Sequence, residues 1–268
     1  MIMEERKTLC FQLLLTVILI LMAIGCRQQS YRDNVPAIPS MLDTLYDTYE
    51  ERQVLKVRRI FRKGITYRYR AVYTNQQGEV ISDNFAEITP LGERWEYQPE
   101  RQDVVAIKLG FTEEEKARIL ANPINKTIDL EGRWMEETRE GVIENTKEVW
   151  MHPIRHNQYI FTEVAAFPEV RFPLEVGKEW RSGLGGLGGW GDWDGMDILS
   201  DYKITGKEKI KLKIGPIECW VVETVSTFGL GTSTATFHFH EDLGFVRMNY
   251  TNYLGQGLIF ELEEVAEI

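Results

Sequence analysis

Hydrophobic and polar positions alternate with period two through the last third of the chain, residues 197–264, and the pattern predicts an antiparallel sheet strand by strand. Over 233–240 one parity carries Ala235, Phe237 and Phe239, the other Thr234, Thr236, His238 and His240. The next run sets Val246, Met248 and Tyr250 against Arg247, Asn249 and Thr251. A hairpin turn at 241–244 that brings His240 to Phe245 puts Phe239 opposite Val246, Phe237 opposite Met248 and Ala235 opposite Tyr250, and gathers one apolar face. A slip of one residue would set Phe237 against Arg247, so the pattern selects the register. Leu258, Phe260 and Leu262 continue that face. Pairing Met248 with Phe260 leaves the loop Tyr253-Leu254-Gly255, with glycine where a left-handed residue is needed. Residues 217–228 are apolar on both parities, as a central strand requires.

Upstream, Ser40 can cap a helix burying Leu42, Leu45, Tyr46 and Tyr49. Residues 65–74 alternate again, and a turn at 75–78 leads into a partner strand over 79–88. With Tyr73 opposite Val80, Arg70 falls opposite Asp83 and Thr66 opposite Glu87. Trp95 and Tyr97 mark a further strand, 104–109 another. Thr112-Glu113-Glu114-Glu115 is a capping box, Glu114 and Arg118 are spaced for an ion pair, and Pro123 stops the short helix. Residues 149–152 and 159–164 read as strands, and 124–147 as a hairpin with loops. The fold class expected is mainly β: a curved antiparallel meander sheet, half-barrel or sandwich, with one or two short helices.

The N-terminus changes the picture. Residues 9–24 are almost unbroken apolar sequence behind Arg6 and Lys7, ending in Ala23-Ile24-Gly25-Cys26. These four residues resemble the lipobox of bacterial lipoproteins. The resemblance implies that 1–25 is a cleaved signal peptide and that Cys26 receives a diacylglyceryl group and acyl chains such as palmitate. Glu4 and Glu5 beside the basic pair, and Ala23 in place of the commoner leucine, depart from that pattern. Two or three acyl chains at about 0.8 kcal/mol per buried methylene anchor a protein to a bilayer without spanning it. Arg27 rather than aspartate follows the cysteine, which by the same resemblance implies the outer membrane of a Gram-negative envelope. Polar, proline-punctuated residues 26–39 read as a tether, and 40–268 as the β-rich part, as one unit or as two halves, 40–147 and 148–268.

The net charge of −10 disfavours nucleic acid and anionic lipid surfaces as partners. Of three cysteines, Cys10 leaves with the signal and Cys26 carries lipid, so Cys219 has no disulfide partner and reads as a small buried hydrophobe.

Candidate chemistry concentrates in 182–197, where seven glycines surround Trp190, Trp193, Asp192, Asp194 and Asp197. The run contains Gly183-x-Gly185-x-x-Gly188, but no helix can start after it, which excludes the dinucleotide site that this spacing serves between a strand and a helix. The aspartates have the oxygen density of a calcium loop without its spacing or its bidentate glutamate. The two tryptophans could stack on a sugar ring or an acyl chain; the alternative is that both indoles pack beneath the loop. His238 and His240 lie two apart on one strand face, close enough to share a metal that would need further ligands. No nucleophile elbow or zinc-protease helix motif occurs, and the chain reads as non-enzymatic and without a cofactor.

The segment from Phe172-Pro173-Leu174 through Trp180, the run from Gly215 to Trp220, and Phe239-His240-Glu241-Asp242-Leu243-Gly244-Phe245 resemble the C-terminal pattern of secreted β-rich lipoproteins of Bacteroides-type bacteria. They are more distantly similar to the half-barrel of periplasmic lipoprotein carriers, which implies a curved sheet wrapped around helices. The expectation is an outer-membrane-anchored, non-enzymatic binding or envelope-assembly module, its partners a glycan, a lipid or an envelope protein. The alternative is a carbohydrate-binding or carbohydrate-processing lipoprotein that uses loop 182–197.

Overall fold

The computed structural model describes residues 59–121, 128–185, 188 and 190–267. The expected helix after Ser40, the stop at Pro123, the signal segment, Cys26 and the tether lie outside them. The chain divides into two units, 1–44 and 45–268, and every described residue belongs to the second.

Twelve strands form one antiparallel sheet: β1 (Ile65–Thr74), β2 (Val80–Arg94), β3 (Asp103–Leu109), β4 (Glu137–Glu144), β5 (Glu148–Met151), β6 (Glu169–Arg171), β7 (Glu179–Leu184), β8 (Ile198–Leu212), β9 (Gly215–Phe228), β10 (Gly231–His240), β11 (Gly244–Thr251) and β12 (Gly257–Glu267). Their order is β6-β5-β4-β3-β2-β1-β12-β11-β10-β9-β8-β7, so each half of the chain is a meander and the halves meet where β1 pairs with β12. The sheet curls until its two edges face one another, yet among the described residues no backbone ladder joins them. Side chains bridge the gap: the Ser182 hydroxyl donates to Glu169 Oε2 at 2.6 Å, Arg171 donates to Ser182 Oγ at 3.2 Å, and Tyr202 Oη donates to the Phe167 carbonyl at 2.9 Å.

The C-terminal register follows the hydrophobic pattern over most of its length. Ala235 faces Tyr250, Phe237 faces Met248, and Met248 faces Phe260. Gly255 adopts φ 77° in the predicted loop, a conformation that costs a residue with a Cβ. The hairpin end differs from expectation, because a bulge between His238 and Phe239 pairs Phe239 with Phe245 and His240 with Gly244. The β1–β2 hairpin is also displaced, by two residues: Tyr73 pairs with Ser82 and Arg70 with Phe85. Parity survives such a shift, so Ile65, Tyr67, Tyr69, Ala71 and Tyr73 still face the core. Arg70 still reaches Asp83, diagonally, with its Nε donating at 2.8 Å, while Arg68 pairs with Glu87 and Thr66 meets Thr89.

Two segments differ from the expectation drawn from their sequence. Trp95 and Tyr97 lie in a turn after a longer β2. Residues Asn157–Val164 form a buried 3-10 helix instead of a strand. Asn157, at φ 55°, turns the chain inward, and Tyr159 and Phe161 pack on Phe260 and Tyr73 with ring centroids 5.1 and 6.1 Å apart. The concave face is therefore filled by the chain's own segment between β5 and β6.

Helix α1 (Glu113–Ala121) begins with the reciprocal capping box: Glu115 N donates to Thr112 Oγ1 at 3.1 Å and Thr112 N donates to Glu115 Oε2 at 2.8 Å. The Glu115 carboxylate also accepts from Asp83 N and Asn84 Nδ2, tying the helix to β2, and Glu114 lies 3.5 Å from Arg118. Thr112→Ala should cost about 1 kcal/mol in urea-induced unfolding, the usual worth of an N-cap side chain; a change within error would show that the cap contributes nothing.

Candidate functional site

Four places on this sheet could carry function, and the sequence signalled two of them. The glycine-rich run becomes the β7–β8 connection, 185–197, at one end of the half-barrel. A short 3-10 turn, Gly191–Trp193, drives the two indoles apart. Trp193 is completely buried, and its Nε1 donates to Tyr253 Oη at 3.2 Å. Tyr253 in turn packs edge-on against Phe228. Trp190 stays half-exposed, with the Arg133 guanidinium 5.6 Å from its ring. Asp192, Asp194 and Asp197 are exposed, and the Asp194 carboxylate accepts the Trp190 backbone N–H. Of the two predicted platform residues, Trp193 is held in the core and Trp190 alone offers ring surface.

The histidines also separate. His238 is buried on the convex face, where a bulge between Ile204 and Gly206 bends the β8–β9 hairpin back over β10–β12. Glu208 of that hairpin lies 3.1 Å from His238 Nε2, Lys213 lies 3.3 Å from Glu263, and Ile210, Leu212 and Cys219 are buried. His240 instead accepts the Asp242 backbone N–H through Nδ1 at 3.2 Å. Among the described residues no group of three or more His, Cys, Asp or Glu side chains is placed to hold a metal ion. The polar parity of β10 and β11 meets the folded-back hairpin at His238, while Thr234 and Thr251 are exposed. Burial pushes the Cys219 thiol up to about 11, which suits the inert role its strand position predicts.

The sequence did not signal a buried ionic cluster that fastens the inner 3-10 segment to β4. Arg155 forks onto Glu140, Nε to Oε1 at 3.1 Å and Nη2 to Oε2 at 2.8 Å, and its Nη1 reaches both Glu163 oxygens at 3.1 and 3.0 Å. His156 Nε2 lies 2.8 Å from Glu140 Oε1 and 3.1 Å from Thr138 Oγ1. His152 stands 3.9 Å from the same carboxylate, between the rings of Trp95, Trp150 and Phe167. Burial raises the Glu140 carboxyl, but the His156 hydrogen bond together with Arg155 outweighs it, and the net shift is downward. Burial pushes Glu163 up, and pushes His152 down to about 3, Arg155 adding to the latter effect. Nothing in one dimension announces this cluster: Glu140 lies on a strand of poorly patterned sequence, and its partners come from a segment with no polar periodicity. Gly141 beside it admits Gln102 and Trp95, whose atoms would lie 1.7 and 2.6 Å from any Cβ there.

The fourth place is a groove of about 440 Å³ at the opposite end of the half-barrel from the glycine-rich loop. Arg59, Lys207, Trp220, His240, Glu241 and Asp242 are among the residues that line it. Register alone builds its centre: past the β8 bulge Lys207 pairs with Trp220, and its ammonium sits 4.2 Å from the indole centroid.

No protein-family model matches the chain, and no curated protein matches it. Solved structures do. A Bacteroides fragilis structure, of an inferred exported protein with a YmcC-like fold, aligns with 77% of this chain and 97% of its own at 11% identity and a TM-score of 0.41. An inferred lipoprotein of Parabacteroides distasonis aligns over the same shares at 11% identity and a TM-score of 0.44. The hypothetical lipoprotein YmcC of Escherichia coli aligns over 85% of this chain and 97% of its own at 10% identity and a TM-score of 0.35.

Proposed function

We propose that the chain is an exported lipoprotein, anchored through Cys26 to the outer membrane, that serves as a non-enzymatic binding or assembly module of the cell envelope. The observation that carries this reading is the apolar run 9–24 ending in Ala23-Ile24-Gly25-Cys26. The filled concave face supports a module that meets its partners on outer surfaces, since Tyr159, Phe161 and Val164 occupy the space an acyl chain would need inside a carrier. Mass spectrometry of the full chain extracted from its own membrane tests the anchor. The expected result is loss of 1–25 and the mass of a diacylglyceryl and acyl adduct on Cys26, both abolished by Cys26→Ser. A full-length mass without lipid overturns it.

The glycan reading rests on Trp190 as platform, with Asp192, Asp194 and Asp197 as polar partners, because each of these four reaches solvent.

A further inference from the structure

We propose that the groove around Trp220 is a binding site for alkylammonium groups, with Lys207 as its built-in occupant. The half-buried indole is the one aromatic surface of the groove with a cation already over its face, and an indole is the aromatic side chain that attracts cations best. The buried Phe239 and Cys219 are also among its lining residues. The rim carries three carboxylates, Glu218, Glu241 and Asp242.

Both resident cations are held loosely. Lys207 Nζ lies 4.0 Å from Glu218 with the two side chains 46% and 69% exposed, and Arg59 lies 3.4 Å from Asp242 with 60% and 65% exposed. Pairs so exposed contribute little and exchange readily. Glu241 has no ion pair among the described residues. A linear molecule bearing two or more ammonium groups can therefore place one on the Trp220 face, displacing the Lys207 ammonium, and another at Glu241. The volume lies within the range of sites that take small ligands. This site lies apart from loop 182–197, and the inference does not depend on the anchor at Cys26.

Titration calorimetry of the purified full chain with spermidine, and in parallel with a tri-lysine peptide, tests the site. The protein's net charge of −10 attracts any polycation, so variants carry the discrimination. The expected result is saturable binding of one spermidine that weakens about tenfold in Trp220→Leu and severalfold in Glu241→Gln. Lys207→Met should tighten it about two- to fivefold, the worth of an exposed competing pair. Glu241 is exposed, so its variant retains the fold even if Trp220→Leu does not. Tighter capture of tri-lysine than of spermidine would identify lysine side chains of a protein as the source of the ammonium, and the reverse a free polyamine. Absence of saturable binding, or binding unchanged by Glu241→Gln and Trp220→Leu, overturns the proposal.

Discussion

Trp193→Ala should lower the unfolding free energy by about 3–5 kcal/mol, the cost of deleting a fully buried large aromatic side chain. Trp190→Ala, at a half-exposed ring, should cost well under half as much. The asymmetry follows from the loop's geometry. The 3-10 turn inserts Trp193 beneath the loop, where its indole N–H satisfies Tyr253 Oη, so truncation leaves both a cavity and an unpaired hydroxyl. Urea denaturation of the single variants reads this directly. If the two substitutions cost the same, or if Trp193→Ala is neutral, the loop does not pack as described. Binding to glycan arrays then separates the roles: loss confined to Trp190→Ala, with melting preserved, is what a stacking platform predicts.

Arg155→Met should destabilise the protein by about 3–5 kcal/mol near neutral pH, because it strands two buried carboxylates, Glu140 and Glu163, without their shared cation. The pH dependence should weaken as well. In the wild type, His152 is held at about 3 against an ordinary value of 6.5, so as pH falls below 6.5 the unfolded chain takes up a proton that the folded chain refuses, and stability is lost. Glu140, held below the ordinary 4.5, adds to the loss at lower pH, while the raised Glu163 opposes it. Without Arg155 the stranded carboxylates have raised folded values. The folded chain then gains protons at these carboxylates first, which offsets part of the acid loss that the buried His152 still causes. Denaturation midpoints from pH 7.5 to 4.5 test this: parallel falls in wild type and variant would show that Arg155 does not hold the carboxylates.

What was legible in the sequence is what depends on neighbours along the chain. The Phe237–Met248 and Met248–Phe260 pairs, the Gly255 turn and the Thr112 capping box each follow from alternation or from spacings under four residues. The apolar residues on both parities of β9 mark it as an interior strand, which it is, third from one edge between β10 and β8, although Val225 on one parity is exposed. The readings that differ turn on local irregularity. The bulge at His238–Phe239 moves the pairing beyond it by one residue, and the β1–β2 ladder lies two residues from expectation with its parity unchanged; alternation along a single strand carries no trace of either. The inner 3-10 segment is enclosed on every side, its polar Asn157, Gln158, Thr162 and Glu163 included, and the short apolar run 159–161 within it reads equally as a strand. The folded-back hairpin needs the bulge at Ile204–Gly206, and the Glu140 cluster needs three elements brought together, so neither has a signature in one dimension. For the site residues the sequence located the glycine-rich loop but could not tell a buried indole from an exposed one. That distinction is made by a single 3-10 turn.

The pairing of β1 with β12 has a consequence for how the sheet can assemble. Ten of its eleven strand pairings join strands consecutive in sequence, and the remaining one joins Ile65 to Glu267 across some 200 residues. Each meander can form from contacts of low sequence separation, and one loop closure then fixes the topology. The covalent link between the halves runs instead through the peripheral connection 172–178, which joins the two edges. A protease nick there would leave two fragments held by the middle of the sheet, so this chain is suited to reconstitution from complementary pieces.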